Sequence, residues 1–315
     1  MATASGFDSQ IGYATEATAG IYTAPTRAIE HVKESLKQTI ERIESASIKA
    51  GRRHQGRWYP GTRKVEGTVE HELGPANLGI LLRHGMGAVS SSGTGPYSHV
   101  FTPGALVGSG LSCQVGRPGL DGTVWPFSYL GCQIAKMKIS AKTGEIVMVE
   151  LSLVGQFEDT GQSLVAPTYA AAWVPFTFAG AQLSVAGSVF ACDSFSFEID
   201  NALDWPRYKM SATNPDRPLV AKESGWRSFT GSIEADFTDL TAYNRYVNGT
   251  EAAISAVFTA GAHSLTIAGN ARFDGETPTV DGPGLLGLNL PFRMLSTTSD
   301  AAACTMTLVN GDATP

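Results

Sequence analysis

Many short segments of the sequence alternate between apolar and polar residues, and this pattern constrains the fold most strongly. Residues 194–200 place two phenylalanines and an isoleucine between serine and acidic side chains, and residues 65–73 and 229–237 repeat the pattern. Successive side chains of a β-strand point to opposite faces, so this alternation is typical of strands with one buried face. A longer run, residues 144–154, is largely apolar on both faces, as expected in the middle of a sheet. The chain is therefore predicted to be mainly β.

The composition supports a folded chain with many turns. Glycine accounts for 35 of 315 residues without collagen periodicity, which indicates many tight turns between strands. With 43% hydrophobic residues and a net charge of −6, the chain is too apolar and too weakly charged to be disordered. The pI near 5.5 gives no overall reason to expect nucleic-acid binding. The first residues form no basic and apolar leader, so secretion is not expected. Residues 160–192 carry no charge but contain no continuous apolar run of about 20 residues, so no membrane span is expected.

The two halves of the sequence resemble each other. Residues 65–73 align without gaps on 229–237, with a shared central glycine and a shared glutamate, and a short helical segment follows in each half. Upstream, residues 34–41 match residues 193–200. The common order of strand, long loop, strand and helix indicates internal duplication.

Duplication predicts two tandem β-sandwich or β-barrel units, residues 1–160 and 161–315, each with one flanking short α-helix. In the second unit, Asp239 can cap the start of the helix and Gly249 can close its end. One large all-β domain is the competing interpretation of a chain of this length.

The sequence contains no recognisable catalytic motif. It has no nucleophile elbow, no phosphate-binding loop and no zinc-protease helix motif. Its four cysteines are far apart, which argues against a zinc ribbon or a redox pair and favours buried free thiols. His71 lies on the apolar face of residues 65–73, so a core or subunit-contact histidine is favoured over a metal ligand acting with His84. Neither an enzymatic activity nor a cofactor is predicted.

One segment, residues 45–64, is strongly basic, and we call it the basic arm. It carries six basic residues and no acidic one, with Trp and Tyr between them. Residues 27–64 have a net charge of +6, which leaves −12 for the remainder because the whole chain carries −6. The arm could bind nucleic acid or dock on an acidic surface of another subunit, and the second is favoured because Arg, Trp and Tyr are enriched at interface hot spots. The candidate contact residues are Arg52, Arg53, Arg57, Trp58, Tyr59 and Arg63.

Eight short segments occur along the chain in an order that is typical of one protein family. These are residues 12–26, 34–36, 43–45, 51–53 and 65–70 in the first half, and 178–187, 203–205 and 229–231 in the second. In this order the chain resembles the major tail tube proteins of long-tailed (siphovirus-type) bacteriophages over nearly its whole length. The signatures are structural rather than catalytic, and their order carries the resemblance.

The resemblance implies a structural protein of the virion, located in the phage tail and assembled in the host cytoplasm. Such proteins form rings that stack into a hollow tube, through which DNA passes from capsid to host. Single-unit relatives form six-membered rings, and a duplicated chain would build a similar pseudo-sixfold ring from three copies, with a ring of six copies as the alternative. The implied partners are further copies of the chain, the tape measure protein, the tail terminator and the distal tail proteins.

The resemblance also implies that strands of each unit line the lumen of the tube. DNA slides through only if the lining does not hold its phosphates, so we expect an acidic or neutral lining. The candidate lining residues, on the polar faces of the alternating strands, are Glu66, Glu70, Glu198, Glu234 and Asp236.

Two other classes of function remain open from the residues alone. One is a β-sandwich module that binds carbohydrate or another ligand. The other is an all-β glycosidase-like enzyme, which needs only two suitably placed carboxylates among the many of this chain.

Overall fold

The computed structural model describes residues 5–170, 173–210, 213–275, 277–280, 282–296 and 298–315. Strands account for 48% of the chain, which confirms the prediction of a mainly β fold. The first-half strands are β1 (Gln10–Thr15), β2 (Arg27–Ala28), β3 (Lys33–Glu34), β4 (Lys37–Glu44), β5 (Trp58–Glu72), β6 (Gly87–Ser92), β7 (Tyr97–Pro103), β8 (Leu111–Pro118), β9 (Val124–Lys142), β10 (Met148–Gly155) and β11 (Phe157–Asp159).

The second half continues the β architecture and contains the second of the two α-helices found among the described residues. Its strands are β12 (Ala181–Val185), β13 (Ser188–Val189), β14 (Ser194–Asp200), β15 (Leu203–Asp204), β16 (Lys222–Glu223), β17 (Ser228–Asp236), β18 (Ala252–Ala260), β19 (His263–Phe273), β20 (Gly287–Met294) and β21 (Thr305–Asn310). The helices are α1 (Gly79–Met86) and α2 (Leu240–Asn248). The segment around the predicted boundary at 160/161 packs on the first half, where the Val165 amide donates to the Gln114 side chain at 2.8 Å.

Eight antiparallel strands form one continuous sheet through both halves, which we call the central sheet. Its order is β4-β5-β10-β9-β14-β17-β20-β19. Strand β10 lies in the middle, between β5 and β9, as predicted for this segment. Gly144 belongs to the turn before β10 rather than to the strand, and its φ of +85° suits glycine.

Each half repeats the same order of strand pairing. Seven strands of the first half pair as β2-β1-β8-β9-β10-β5-β4, and seven of the second pair as β13-β12-β18-β19-β20-β17-β14. Equivalent strands also follow one another in the same order along the chain. The β9–β14 ladder joins the halves, and β21 returns to pair with β7 of the first half.

The glycine shared by the two halves has the same role at both positions. A Cβ atom on Gly67 would lie 2.6 Å from the Ser35 carbonyl oxygen and 2.7 Å from the backbone of Leu36. A Cβ atom on Gly231 would collide with the carbonyl oxygen of Ser196. The backbone of a neighbouring segment approaches too closely for a side chain at both positions, which explains the shared glycine. The segment is the link between β3 and β4 at Gly67, and strand β14 at Gly231.

The two helices end where glycine can leave the helical conformation. The Asp239 carboxylate accepts a hydrogen bond from the Thr241 amide at 2.7 Å at the start of α2. Gly249 closes α2 with a φ of +60°, so both predicted caps are confirmed. Gly87 follows α1 with a φ of +99°.

The hydrophobic core lies on one face of the central sheet. Val69, Leu151, Met137 and Ile199 are direct neighbours across β5, β10, β9 and β14, and all four are fully buried. Helix α1 packs on the same side with three fully buried side chains, Leu81, Leu82 and Met86. The opposite face of the central sheet is left for polar residues.

Candidate assembly surfaces

The face of the central sheet opposite the core is polar, and we call it the polar face. A row of directly opposed side chains crosses seven strands on this face: Lys33, Glu70, Glu150, Lys138, Glu198, Thr230 and Arg293. A second row contains Thr68, Ser152, Lys136, Asp200 and Ser228. Each side chain in these rows is exposed or half-buried. The polar face is therefore continuous across both halves.

Ion pairs connect neighbouring strands on the polar face. The Lys33 Nζ atom lies 2.6 Å from a Glu70 carboxylate oxygen. Lys136 Nζ lies 2.9 Å from Asp200 and 3.5 Å from Glu198, across the ladder that joins the halves. Partial burial raises the pKa of Asp200, but the hydrogen bond and charge of Lys136 outweigh this effect and hold the pKa below its ordinary value.

All five residues predicted from the sequence to line a lumen lie on the polar face. Glu66 and Glu70 are on β5, Glu198 is on β14, and Glu234 and Asp236 are on β17. The structure thus brings residues from both halves onto one surface.

Sequence reasoning missed the basic residues of the same surface. Lys136, Lys138 and Lys142 project from β9 between the acidic strands β10 and β14, and all three are exposed. They alternate with the buried residues Met137 and Ile139, so the period-two pattern could have found them. The polar face therefore has mixed charge rather than a purely acidic one.

The central sheet has two open edges among the residues that the structure describes. Strand β4 pairs only with β5, so its outer edge is open. Strand β19 pairs with β18 as far as Ala271, and its next residues, Arg272 and Phe273, have a partner only on the β20 side. Unpaired strand edges readily accept another strand.

The basic arm is an extended β-hairpin with a long tip. Strands β4 and β5 stay paired as far as Glu44 and Trp58, and residues 45–57 form the tip between them. Residues 58–64 of the arm therefore belong to strand β5. Three of the predicted contact residues, Arg52, Arg53 and Arg57, lie in the tip and are exposed.

The aromatic residues of the basic arm remain accessible in the single chain. Trp58 is 58% exposed and Tyr59 is 56% exposed at the start of β5. The Arg42 guanidinium lies over the Trp58 ring, 4.9 Å from its centroid. These side chains form a cationic and aromatic surface at the base of the tip.

Arg63, the sixth predicted contact residue, is engaged within the chain. Its Nε atom lies 2.6 Å from an Asp216 carboxylate oxygen, and the Tyr208 hydroxyl donates to its carbonyl oxygen at 3.0 Å. Tyr208 and Asp216, which lie between β15 and β16 in the sequence, thus contact β5. Sequence reasoning missed this contact because about 150 residues separate the partners.

The histidines considered as metal ligands are hydrogen-bonded core residues. His71 is buried, with Nε2 2.7 Å from the Tyr13 hydroxyl and Nδ1 2.7 Å from the Glu30 carbonyl oxygen. Burial lowers the pKa of His71 to about 4, so the ring is neutral at pH 7. His84 is also buried, and its Nε2 lies 2.9 Å from the Thr15 hydroxyl. The interpretation of His71 as a core histidine is confirmed.

Three of the four cysteines are buried as free thiols, in agreement with the sequence-based prediction, and Cys192 is half-buried. Within the ranges that the structure describes, no group of three or more His, Cys, Asp and Glu residues is arranged to hold a metal ion. In the same ranges, neither helix is long and apolar enough to cross a membrane.

The chain matches a known protein family. The sequence model of the phage tail tube protein family matches residues 6–294. The match begins before β1 and ends with β20, so it includes both halves of the central sheet. No curated protein matches the chain significantly.

Proposed function

The chain belongs to the phage tail tube protein family, and on this basis we propose that it forms rings that stack into a hollow tube conducting phage DNA. Membership of this family indicates that the chain is a structural protein of the virion tail, which associates with itself and with other tail components. The ring, its symmetry and the passage of DNA are our proposal. So are contacts with the tape measure protein inside the tube and with the tail terminator and distal tail proteins at its ends.

The observation that carries the proposal is the central sheet. It has one buried face, one polar face and two open edges, on β4 and β19. A sheet with open edges is protected from uncontrolled pairing when several copies close into a barrel. In such a barrel the core and α1 lie outside the sheet, and the polar face lines the lumen.

We propose three chains per ring. The repeated pairing order supports two equivalent units per chain, each contributing four strands to the central sheet. Three copies of eight strands would give 24 strands. At a spacing of about 4.8 Å, these give a circumference of about 115 Å and a diameter of about 37 Å between backbones, before strand tilt widens it. Such a barrel leaves space for a DNA double helix.

The charges of the polar face suit a lumen through which DNA slides. Glu66, Glu70, Glu198, Glu234 and Asp236 repel phosphates. The lysines of β9 stand between carboxylates, and Lys136 is neutralised by Asp200 at 2.9 Å. A lining of this kind offers no continuous basic surface that would hold DNA in a salt-dependent manner.

We also propose that the basic arm contacts another subunit. Its tip carries four basic residues and no acidic one over residues 45–57, whereas most of the chain is acidic. Exposed Trp58 and Tyr59 supply apolar area that a neighbour can bury, with Arg52, Arg53 and Arg57 beside them. Arg63 contributes to this contact indirectly, because it fixes the base of the arm through Asp216.

Negative-stain microscopy of the purified full-length protein tests the proposed function. We expect rings or tubes with a central channel at high protein concentration. Light scattering on the same sample should show species larger than one chain. A protein that stays strictly monomeric at high concentration would exclude the tube function.

A further inference from the structure

The β9–β14 ladder, which joins the two halves of this chain, provides a template for the pairing between one copy and the next. We propose that the open edge of β4 in one copy pairs antiparallel with the edge of β19 beyond Ala271 in the next copy. This inference rests on the proposed ring and identifies its junction. It follows from three observations: the edges of β9 and β19, the register of the strands, and the charges on the two edges.

Strand β9 shows how one edge is shared between two partners. Strands β10 and β11 occupy one edge of β9. On the other edge, β8 pairs as far as Cys132, and β14 takes over from Lys136 to Lys142. One strand of the first half and one strand of the second therefore follow each other along the same edge.

Strand β19 has the same arrangement as β9, except that no strand of the described residues takes the place of β14. Strands β20 and β21 occupy one edge of β19. On the other edge, β18 pairs as far as Ala271, and no strand among the described residues continues from Arg272. The strand that would complete the repeat is the equivalent of β14, which is β4. In its own chain, β4 lies at the far end of the central sheet, so a second copy must supply it.

The register on the β19 side follows from β20. Pro291 of β20 is equivalent to Ser152 of β10, because the two residues oppose the equivalent positions Ser232 and Thr68. The Asp274 amide donates to the Pro291 carbonyl at 2.8 Å, which extends the β19–β20 ladder by one residue. Asp274 therefore takes the place that Lys136 has opposite Ser152.

The register on the β4 side follows from β5. Thr39 is opposite Lys64, and Asp200 is opposite Ser228, which is equivalent to Lys64. Thr39 therefore takes the place of Asp200. Since Asp200 is the direct partner of Lys136, the repeat places Thr39 of one copy opposite Asp274 of the next. Regular antiparallel pairing continued two residues further would place Glu41 opposite Arg272.

The charges on the two edges are complementary in this register. Arg272 and Arg293 are directly opposed on β19 and β20, and both are exposed. Like charges in this arrangement destabilise a sheet, and a carboxylate brought close to them offsets the repulsion. Glu41 of the incoming strand supplies that carboxylate.

A second charge pair in the proposed junction corresponds to an ion pair seen within the chain, with the positions of the positive and negative residues exchanged. Lys136 lies diagonally opposite Glu198, with 3.5 Å between Nζ and the carboxylate. In the proposed junction Asp274 has the position of Lys136, and Lys37 has the position of Glu198. The signs are exchanged, but the attraction is retained.

The available length of the β4 edge fits this junction. The Leu36 carbonyl oxygen already accepts hydrogen bonds from Arg117 at 2.6 Å and from the Tyr129 hydroxyl at 2.9 Å. The edge is therefore open from Lys37 onward. Lys37, Thr39 and Glu41, which the register places in the junction, all lie in this open part and are exposed.

A pair of cysteines tests the junction directly. In the full-length chain, Thr39→Cys with Asp274→Cys places one thiol on each side of the proposed ladder. Lys136→Cys with Asp200→Cys is the matched control, because these two residues are direct partners at the equivalent position within one chain. After mild oxidation of assembled protein, non-reducing electrophoresis should show covalent multimers up to three chains for the first pair. The control should show only an intrachain bond.

The outcomes separate this inference from the proposed function. Covalent multimers from the pair, with none from either single cysteine variant, support the junction. Tubes that form while the Thr39/Asp274 pair stays unlinked and the control pair is oxidised overturn the junction and leave the tube function intact. If neither the variant nor the wild-type protein forms rings, both the junction and the proposed tube function are overturned.

Charge reversal provides a second test for the case in which the cysteines prevent assembly. We expect Glu41→Lys and Arg272→Glu each to lower the sedimentable fraction at least threefold, and the double variant to recover most of the loss. Lys222→Glu, an equal charge change on an exposed residue of β16, should sediment like wild type. Normal assembly of both single variants would overturn the junction.

Discussion

The Nζ atom of Lys136 lies 2.9 Å from a carboxylate oxygen of Asp200. The two residues are opposed across the ladder between β9 and β14, which joins the two halves of the central sheet. The two residues come from different halves of the chain, and the same pair defines the register in which the halves meet. The pair is partly exposed, with 50% of the lysine and 32% of the aspartate side chain accessible. Its contribution to stability is therefore modest, and its main effect is on the alignment of the strands.

Replacing Asp200 with Asn should lower the free energy of unfolding by less than about 1 kcal/mol at pH 7. The pKa of Asp200 is below its ordinary value in the folded chain, so its stabilising effect is present above the unfolded pKa of about 3.9 and is lost as pH falls through the folded pKa. Urea unfolding at pH 7 and pH 3 should therefore show a smaller difference between the variant and wild type at pH 3. Glu145→Gln, on an exposed turn, serves as the control, and an equal difference at both pH values would contradict this account.

Gly67→Ala should destabilise the chain by about 1–3 kcal/mol, because the new methyl group would lie 2.6 Å from the Ser35 carbonyl oxygen. Gly287→Ala is the matched control, since a Cβ atom there has no neighbour within 4 Å and the residue is also in a strand. Thermal unfolding of the two variants checks the difference. Equal melting temperatures would show that the Ser35 and Leu36 backbone can move away from β5 without cost.

His71 should remain neutral until the pH falls to about 4, because burial disfavours its charged form. The unfolded chain binds a proton at this residue near pH 6.5, so the free energy of unfolding should decrease as pH falls from about 6.5 towards 4. NMR titration of the His71 ring protons in the folded protein measures the pKa. A midpoint near 6.5 would mean that the ring is not enclosed between Tyr13 and Glu30.

Trp58→Ala should impair tube formation more than Arg52→Ala. Enclosing an indole ring at an interface is worth a few kcal/mol, whereas an exposed arginine contact contributes about 1 kcal/mol or less. Sedimentation of assembled tubes measures the effect, and circular dichroism of the soluble fraction should show that each variant stays folded. If the Trp58 variant assembles like wild type, the arm does not bury this residue between subunits.

Arg63→Ala should affect assembly less than Trp58→Ala, but it should also loosen the base of the arm, because it removes the ion pair with Asp216 at 2.6 Å. Limited proteolysis of the arm in the unassembled chain separates the two effects. Faster cleavage is expected for the Arg63 variant and unchanged cleavage for Arg52→Ala. Equal rates would mean that the ion pair between Arg63 and Asp216 does not hold the arm.

Local patterns in the sequence predicted the elements with one buried face and the helix ends. Residues 194–200 and 229–237 correspond closely to β14 and β17, and Asp239 and Gly249 cap α2 as expected. These predictions succeed because alternation and capping depend on neighbouring residues. The shared glycine of the two halves was also informative, since it marks the same close approach of strands in each.

Pairings between distant segments could not be read from the sequence. Nothing local to β9 or β14 indicates that Lys136 meets Asp200, 64 residues later. The same holds for Arg63 and Asp216. The residues predicted for the polar face were all acidic, although the alternation around Lys138 is also present in the sequence and places lysines on the same face.

An image of the assembled tube in cross-section, by cryo-electron microscopy, tests the central claim most directly. We predict three chains per ring, one closed barrel built from the central sheets, and the polar face with Glu70 and Glu198 directed into the lumen. Rings of six chains, or a tube whose lumen is lined by another surface such as the basic arm, would contradict this account.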